Sequence, residues 1–393
     1  MKQRIITRTV LLVSLVSLFT DIASEMLYPV MPIYLKSINF SVLLILILEG
    51  VAEFTAGLSK GYFGNLSDTK GSRMPFVRWG YALSAISKPL LAVSVFPLWI
   101  FFARTLDRLG KGIRTGARDA LLSDESTKEN KAKVFGFHRS LDTVGAAIGP
   151  IIALIYLYFY PGQYKWMFII AFFPGIAAIA ITLFVKEKKR ALPGVGKSGG
   201  FLSYMGYWKR SPLLYRKLII GLLVFTFLNS SDALLLLSLN KSGLSDTAVI
   251  GFYIFYNLIY ALASYPAGML ADKIGMKKTL LMGLALFAVV YFSFGFAGLF
   301  WHFGILFFIY GIYAAATEGI SKAWITNISK PTETATAIGF YTSFASIFSL
   351  LANIFAGAIC LFFSFKAAFI ISGVGVGLVV IYFMITLKEK TKS

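Results

Sequence analysis

The segment "GNLSDTKGSR" (residues 64–73) returns later in the chain as "GMLADKIGMKK" (residues 268–278). In both copies an acid follows the first glycine by four residues, a second glycine follows the acid by three, and cations close the motif. The two acids are 204 residues apart, and "FGFHRS" (135–140) is echoed by "IGFYTS" (338–343) at an offset of 203. Two matches at nearly the same offset indicate that the chain consists of two related halves.

The composition indicates a membrane protein. Of the 393 residues, 57% are hydrophobic and only 14% are charged, so most of the chain is unsuited to water. A segment of about twenty apolar residues crosses a bilayer, and twelve such segments predict an all-α integral membrane protein with two pseudo-symmetric six-helix bundles. The predicted spans are 8–35, 40–60, 74–95, 96–122, 133–158, 165–185, 216–239, 246–271, 276–297, 299–325, 332–362 and 365–387.

The longest polar insert, residues 186–217, separates the first six predicted spans from the last six. It is rich in glycine, serine and cations, which is typical of a linker, with room for one short surface helix. We therefore predict an N-terminal bundle over residues 1–190, a cytoplasmic linker over 191–215 and a C-terminal bundle over 216–393.

The net charge of +20 follows a membrane topology and does not indicate a nucleic-acid partner. Cations concentrate at the two termini, in alternate loops and in the middle insert, whereas the other loops hold isolated lysines. This positive-inside bias places both termini in the cytoplasm and predicts a protein of the plasma membrane. We expect that membrane to be a bacterial inner membrane. With one cysteine and two histidines, we expect no metal site and no cofactor, and we expect a monomer in the lipid bilayer.

These features together resemble the major facilitator superfamily of secondary transporters. The cytoplasmic gate motif of that family has Gly, three residues, Asp, Arg or Lys, any residue, Gly, and two cations. The matching residues are Gly64, Asp68, Gly71 and Arg73 in the first copy, and Gly268, Asp272, Lys273, Gly275 and Lys277 in the second. The resemblance implies alternating access, a substrate site between the halves near the membrane midplane, and a latch function for both acids. Because a helix dipole favours an acid at its N-terminus, we expect each acid beside the helix that follows it.

A second resemblance concerns the fifth predicted span. Gly136, Gly145, Gly149 and Pro150 have the spacing of the antiporter signature of the family, although Ala153 and the residue after it replace its final glycine pair. Small residues let helices approach closely, and an internal proline bends a helix. The resemblance to the proton-coupled antiporter and drug-export branch implies export against protons.

The fourth predicted span carries many charges for a membrane segment, "ARTLDRLGKGIRTGARD" (103–119). At 100° per residue, Arg104, Arg108, Lys111 and Arg118 fall within roughly 80° of one another. Facing lipid at mid-depth would cost roughly 3 kcal/mol or more for each charge. These side chains must therefore face the protein interior, water or counter-charges.

Other spans offer such counter-charges at mid-depth. A carboxyl group in a dry cavity favours its protonated form and an adjacent arginine favours the ionised form, so separating such a pair couples a proton to a change of state. The proton-coupling candidates include the arginine that resembles the coupling residue of the family, and they are Asp21, Glu25, Glu49, Glu53, Arg104 and Asp142. The candidates for the substrate cavity are Tyr28, Arg108, Lys111, His138, Arg139, Asp232, Tyr256 and Glu318.

These observations predict a secondary active transporter of a small organic solute, with protons as the coupling ion. The cations of the N-terminal half slightly favour an anionic or zwitterionic substrate. The sequence leaves open an organic-anion importer or uniporter, a divalent-metal carrier that uses the same acids with His138, and a receptor or channel without transport activity. We expect no enzyme, because the sequence shows no nucleophile elbow, phosphate loop or metal dyad.

Overall fold

The computed structural model describes residues 6–28, 30–40, 42–187, 200, 202–230 and 232–387. This part of the chain consists of α-helices and two short 3-10 turns, Ser203–Gly206 and Pro331–Glu333, and has no strand. The helices are α1 (Arg8–Glu25), α2 (Met31–Ser37), α3 (Val42–Thr69), α4 (Met74–Val93), α5 (Pro97–Asp124), α6 (Lys131–Phe159), α7 (Tyr164–Leu183), α8 (Tyr207–Arg210), α9 (Leu213–Leu228), α10 (Asp232–Lys241), α11 (Asp246–Ile274), α12 (Met276–Phe294), α13 (Phe300–Ile328), α14 (Thr334–Phe362) and α15 (Phe365–Thr386).

Local sequence signals set several of the helix starts. The side chain of Thr7 caps α1 by accepting a hydrogen bond from the Val10 amide at 3.2 Å. Ser245 and Ser364 cap α11 and α15 in the same way. Each hydroxyl satisfies one of the amides that a first helical turn leaves without an intrahelical partner. Proline occupies the first position of α5, where its missing N–H costs nothing.

All twelve predicted spans coincide with helices, and the predicted all-α, twelve-helix fold is confirmed. Seven of the described helices qualify as membrane spans by length and hydropathy, or eight if one bent pair counts as a span. The first span is broken between α1 and α2, and the seventh between α9 and α10. Breaks at corresponding places in two repeats are typical of transporters, in which interrupted helices expose backbone groups near the substrate site.

The chain forms two compact units. The first comprises Met1–Thr127, Leu141–Tyr207 and Lys330–Ser343. The second comprises Lys128–Ser140, Trp208–Ser329 and Phe344–Ser393. The start of α6 therefore belongs to the second unit and the start of α14 to the first. The division at residues 191–215 stays a prediction, and residues 191–199 and 201 lie outside the described part.

Each unit has its own apolar core. In the first, the ring of Tyr34 packs edge-on against Phe168 with the centroids 4.8 Å apart, and both side chains are buried. In the second, Phe287 stacks on Tyr291 at 4.0 Å. Many large apolar side chains are exposed, among them Trp79 at 67%. An apolar outer surface of this kind is suited to lipid, because hydrocarbon chains solvate it as well as a protein core does.

Candidate functional site

A small polar cavity lies within the first unit, between α1, α4 and α5. Its volume is about 30 Å³, which is room for a few water molecules. The charged face of α5 lines it, and Arg104, Arg108 and Arg114 are each less than 10% exposed. The structure thus turns this face inward, as the cost of charge in lipid requires. Six of the predicted site residues line the cavity, namely Asp21, Glu25, Tyr28, Arg104, Arg108 and Lys111.

A buried ion pair on one side of this cavity was missing from the predicted site. The ammonium group of Lys88 lies 2.5 Å from the carboxylate of Asp107, and the Ser84 hydroxyl donates to the same carboxylate at 2.5 Å. Lys88 also donates to the Ser24 hydroxyl at 3.2 Å, which ties α4 to α1. A single lysine beside Pro89 in an apolar span was the available signal, since intramembrane charges are rarely without function.

A pair of carboxyl groups lies beside the cavity. The Asp21 carboxyl group of α1 and the Asp142 carboxyl group of α6 are close enough to interact directly, and Glu25 is near enough to repel Asp21 as well. The guanidinium group of Arg118 lies 4.0 Å from Asp142. The structure therefore brings together acids of two predicted spans that lie more than a hundred residues apart in the chain.

The antiporter-like glycines explain this close approach. A Cβ atom on Gly145 would lie 2.5 Å from the carbonyl oxygen of Leu18 and 3.0 Å from the Cβ of Asp21. One on Gly149 would lie 2.7 Å from the backbone nitrogen of Met26. Without side chains at these positions, α6 can press against α1 over more than one turn. Pro150 follows directly within α6.

The remaining proton-coupling candidates of the first unit lie on α3 and α5. The Glu53 carboxylate pairs with Arg108 at 3.3 Å, although half of the Glu53 side chain is exposed. Arg104 is 3.9 Å from Asp107, one turn further along α5. The side chain of Glu49 lies outside the described part of the structure.

The substrate-cavity candidates of the second unit form a separate cluster. Arg139 pairs with Glu318 at 2.5 Å, and the Tyr310 hydroxyl donates to Asp232 at 2.8 Å. Tyr256 lies between them, with its ring centroid 4.9 Å from that of Tyr310. His138 is buried in the second unit and does not line the cavity described above.

The first copy of the gate motif lies at the end of α3. Asp68 accepts hydrogen bonds from the Thr336 amide at 2.6 Å and from the Thr336 hydroxyl at 2.7 Å, and it pairs with Arg73, which is fully buried. Asp68 thereby caps the N-terminus of α14, whose dipole favours a negative charge. Through Arg73, the N-cap residue of the following helix α4, the acid also lies near the helix start predicted for it, and its bond to α14 is an additional contact.

The polar insert of residues 186–217, called the linker from here on, contributes to this first contact. Glu187 caps α4 by accepting from the Arg73 amide at 2.6 Å and from the Met74 amide at 3.0 Å. Tyr204 is 3% exposed, and its ring packs directly on Gly61, where a Cβ atom would overlap it. The same ring packs edge-on against Phe340 of α14. Neither linker residue was predicted, since both stand in a polar insert whose composition is typical of an exposed loop.

The second copy of the motif makes a corresponding contact. Asp272 accepts from the amides of Ala132 and Lys133 at 3.1 and 2.9 Å, and so caps α6. Asp272 stands four residues before the start of α12, as predicted from the sequence, but its hydrogen bonds go to the start of α6. Lys277 donates to the Leu387 carbonyl at the end of α15, and Lys273 is exposed.

The motif glycines serve turns and close packing. Gly71 has φ +63° and Gly275 has φ +100°, a backbone conformation that other residues rarely adopt. A Cβ on Gly64 would overlap the Ala335 carbonyl, and one on Gly268 would lie 2.5 Å from the Ala132 carbonyl. Gly136 meets the carbonyl of a residue on α11 in the same way. These positions allow α14 and α6 to touch the backbone of their partner helices.

The metal-carrier alternative finds no coordination site in the part of the chain that the structure describes. No group of three or more His, Cys, Asp or Glu side chains there is arranged to hold a metal ion. The acids that were considered for this function lie instead against cations, as in the pairs of Glu53 with Arg108 and of Asp142 with Arg118.

The comparison with protein families decides the identity of the fold. The model of the Major Facilitator Superfamily matches residues 13–256 and 239–393. The chain belongs to this superfamily. An uncharacterised transporter of the same superfamily from Methanocaldococcus jannaschii is 31% identical over 362 residues, which cover 90% of this chain and 89% of that protein. Members of the superfamily are multi-pass membrane transporters and generally not enzymes.

Two further similarities are more distant. Citrate exporter 1 of Aspergillus niger is 23% identical over 187 residues, which cover 48% of this chain and 35% of the exporter. The crystal structure of the human organic anion transporter MFSD10 superimposes with a TM-score of 0.79 at 16% identity and covers 96% of this chain and 99% of that one. At this identity, the structural likeness establishes the superfamily fold alone.

Proposed function

We propose that this protein is a proton-coupled secondary transporter that exports a small organic anion by antiport. The observation that carries the proposal is the Asp21–Asp142 carboxyl pair beside a cavity with many cations. In this proposal the acid pair is the proton site and the cations attract the anion, and both sets of residues belong to the first unit. The incomplete antiporter signature on α6 supports the direction, because its glycines bring the two acids together.

The proton step follows from the chemistry of the acid pair. Two carboxylates at this separation repel each other, whereas a protonated carboxyl group can donate a hydrogen bond to its neighbour. We therefore infer that the pair holds one proton. When that proton leaves to water, Asp21 and Asp142 both become negative, and each repels the other across the contact between α1 and α6. Arg118, 4.0 Å from Asp142, partly balances the new charge. Deprotonation thus drives a rearrangement of α1 against α6, and reprotonation restores the contact.

The charge of the cavity favours an anionic cargo. Five cations line it, Lys88, Arg104, Arg108, Lys111 and Arg114, against the acids Asp21, Glu25 and Asp107. Asp21 shares a proton with Asp142, which leaves the cavity more positive still. An excess of positive charge with low-dielectric walls raises the local concentration of anions. The names of the citrate exporter and of the human organic anion transporter agree with cargo of this class.

The gate contacts fit alternating access. The bonds of Asp68 to α14 and of Asp272 to α6 join helices of the two sequence halves, and a transport cycle that moves the halves must break and re-form them. The charge bias of the loops supports a protein of the bacterial inner membrane with both termini in the cytoplasm. We further propose that it functions as a monomer and that its partners are the substrate, protons and lipid.

The test separates the proton site from the rest of the protein. A panel of citrate, malate and lactate is first screened for thermal stabilisation of the purified protein at pH 6 and pH 8. The best ligand is then assayed in proteoliposomes that contain a pH-sensitive dye and bear an imposed proton gradient. Asp21→Asn and Asp142→Asn should each abolish gradient-driven transport and the associated proton flux, while exchange of labelled for unlabelled ligand continues.

Glu125→Gln is the matched control, because it removes one carboxylate charge at the end of α5, away from the acid pair. It should leave the proton flux unchanged. Proton coupling at this pair is refuted if both asparagine variants keep the pH dependence of transport. A flux that does not saturate with ligand would favour the channel alternative.

A further inference from the structure

An ion pair in the second unit stands out by its exposure. The Arg139 guanidinium of α6 lies 2.5 Å from the Glu318 carboxylate of α13, and their side chains are 29% and 48% exposed. By contrast, the pairs of Lys88 with Asp107, Arg108 with Glu53 and Arg118 with Asp142 each include a side chain that is no more than 11% exposed. Both partners of the Arg139–Glu318 pair can be reached from outside the protein.

The position of this ion pair along its two helices indicates which molecules can contact it. Arg139 is eight residues from the start of α6, and Glu318 is ten residues from the end of α13. At about 1.5 Å per residue, both lie roughly 12–15 Å from their helix ends. Two accessible charges at that depth cannot face hydrocarbon without a large penalty. They therefore face a space that water and dissolved ions enter.

A tyrosine holds the arginine in place. The Arg139 Nε donates to the Tyr260 hydroxyl, and the guanidinium lies 5.1 Å from the centre of the Tyr260 ring. Tyr260 is 2% exposed and stacks on Tyr256. This buried wall fixes the inner edge of the guanidinium, while Nη2 faces the accessible carboxylate of Glu318.

We propose that Arg139 is the receptor for a carboxylate of the transported anion and that Glu318 is its internal competitor. The proposal rests on the proposed function, since it requires an organic anion as cargo. Without substrate, the Glu318 carboxylate is paired with the Arg139 guanidinium. When the anion binds, its carboxylate displaces that of Glu318 and accepts the same hydrogen bonds from Arg139. No covalent step and no net proton transfer are involved. Tyr260 is a positioning residue, because it holds the Arg139 guanidinium that receives the anion.

Physical chemistry supports an exchange of this kind. An accessible ion pair contributes little net free energy, so replacing one carboxylate by another on the same guanidinium costs little. The planar guanidinium binds carboxylates in a fork geometry that an ammonium group lacks. Glu318 also repels an anion that has left Arg139. The competitor therefore weakens binding and speeds release, which suits a transporter that must discharge its cargo.

The experiment titrates citrate as the probe and follows thermal unfolding of the full-length purified protein, with sodium chloride at equal ionic strength and uncharged mannitol as reference solutes. Glu318→Gln removes the competitor, and we expect the half-stabilising citrate concentration to fall about tenfold. Arg139→Gln should abolish the stabilisation. Arg139→Lys should restore it only in part, because the fork geometry is lost. Tyr260→Phe should raise the half-stabilising concentration several-fold.

Glu333→Gln is the control for net charge, since it also removes one carboxylate but belongs to the 3-10 turn before α14. Its citrate titration should match that of the parent. The inference is overturned if Glu318→Gln binds citrate no more tightly than the parent, or if Arg139→Gln keeps the parental titration. If Arg139→Gln shows no cooperative unfolding transition in buffer, the citrate titration of Arg139→Lys is used in its place to test the inference.

The two proposals fail in different ways. Citrate stabilisation that ignores Arg139 overturns the receptor proposal, while the proton flux of the Asp21 and Asp142 variants still decides the coupling proposal. Conversely, normal proton flux in those variants refutes coupling at the acid pair and leaves the citrate titrations of Glu318→Gln and Arg139→Gln intact.

Discussion

In the first unit, Asp68 caps α14 within a buried network of a guanidinium, a hydroxyl and a linker carboxylate, whereas in the second unit Asp272 caps α6 through two backbone amides. The cap itself is the same in both copies. The surroundings differ, since Asp68 is 6% exposed and pairs with Arg73, which is completely buried. Both copies of the motif therefore form a helix cap. The stability of each cap depends on residues outside the motif.

This difference bears on how the two contacts open. Separating α3 from α14 breaks the two hydrogen bonds that Asp68 accepts from Thr336 and leaves its pair with Arg73 in place. A carboxylate bond broken in a buried site costs more than one broken at a partly exposed site such as Asp272. We therefore expect the contact of Asp68 to resist separation more than the contact of Asp272. Opening the first contact would then be the more costly step of the cycle.

The largest effect should come from removing the buried acid. Asp68→Asn leaves Arg73 without its counter-ion and should lower the free energy of unfolding by about 3–5 kcal/mol. Asp272→Asn should cost only about 1 kcal/mol, because its acceptor bonds to backbone amides are partly retained by the amide oxygen. Thermal unfolding of both variants in the same detergent measures the difference. Equal losses in the two variants would remove the proposed asymmetry.

The linker ring should have the next largest effect. Tyr204→Ala empties the space between Gly61 and Phe340, and a buried aromatic truncated to alanine costs about 3 kcal/mol. Tyr204→Phe keeps the ring, loses only the hydroxyl that bonds to Ser343, and should cost about 1 kcal/mol. Denaturant or thermal unfolding separates the two variants. If alanine and phenylalanine have the same effect, the ring does not support the contact between α3 and α14.

At the turn glycines, unlike at the acids, we expect substitution to destabilise the second copy of the motif more than the first. Gly71 has φ +63°, which lies in the left-handed region that asparagine tolerates, whereas Gly275 has φ +100° and ψ +143°, which only glycine adopts without strain. Gly275→Asn should therefore cost about 1–3 kcal/mol and Gly71→Asn less than about 1 kcal/mol. The unfolding temperatures of the two variants provide the test, and a larger loss for Gly71→Asn would contradict this account of the turns.

The smallest effect should follow loss of the linker cap. Glu187→Gln weakens three hydrogen bonds from Ser72, Arg73 and Met74 at the start of α4, and a lost N-cap costs about 1 kcal/mol. Asp68→Asn combined with Glu187→Gln should cost less than the sum of the single changes, because both acids hold residue 73. A double-mutant cycle in thermal unfolding measures this coupling. Strict additivity would show that the linker acts independently of the gate.

Much of the fold could be predicted from the sequence. The duplicated motif and the twelve apolar runs each correspond to a feature of the structure, because span length and charge in lipid are strong, local constraints. The two helix breaks were missed. The break before Met31 includes Pro29, a helix-breaking residue, but the surrounding apolar run was assigned as one continuous span.

The partners of the site residues were harder to predict. Periodicity shows which face of α5 is polar, and the structure places that face on a cavity. It does not show which helix lies opposite, so the contact of Asp68 with Thr336, 268 residues away, was not predicted. The pair of Lys88 with Asp107 was missed for the same reason, since each charge gains its meaning only from the other.

The 3-10 turn of the linker has a practical consequence for dividing the protein into fragments. Tyr204 and Tyr207 are buried within the first unit although they follow the sixth span in the chain. A cut after residue 210 would leave both tyrosines with the first six spans, and co-expressed fragments should then reassemble. A cut before residue 200 would leave the turn in the C-terminal fragment. The turn would then have to bind α3 of the other fragment before the two fragments could reassemble.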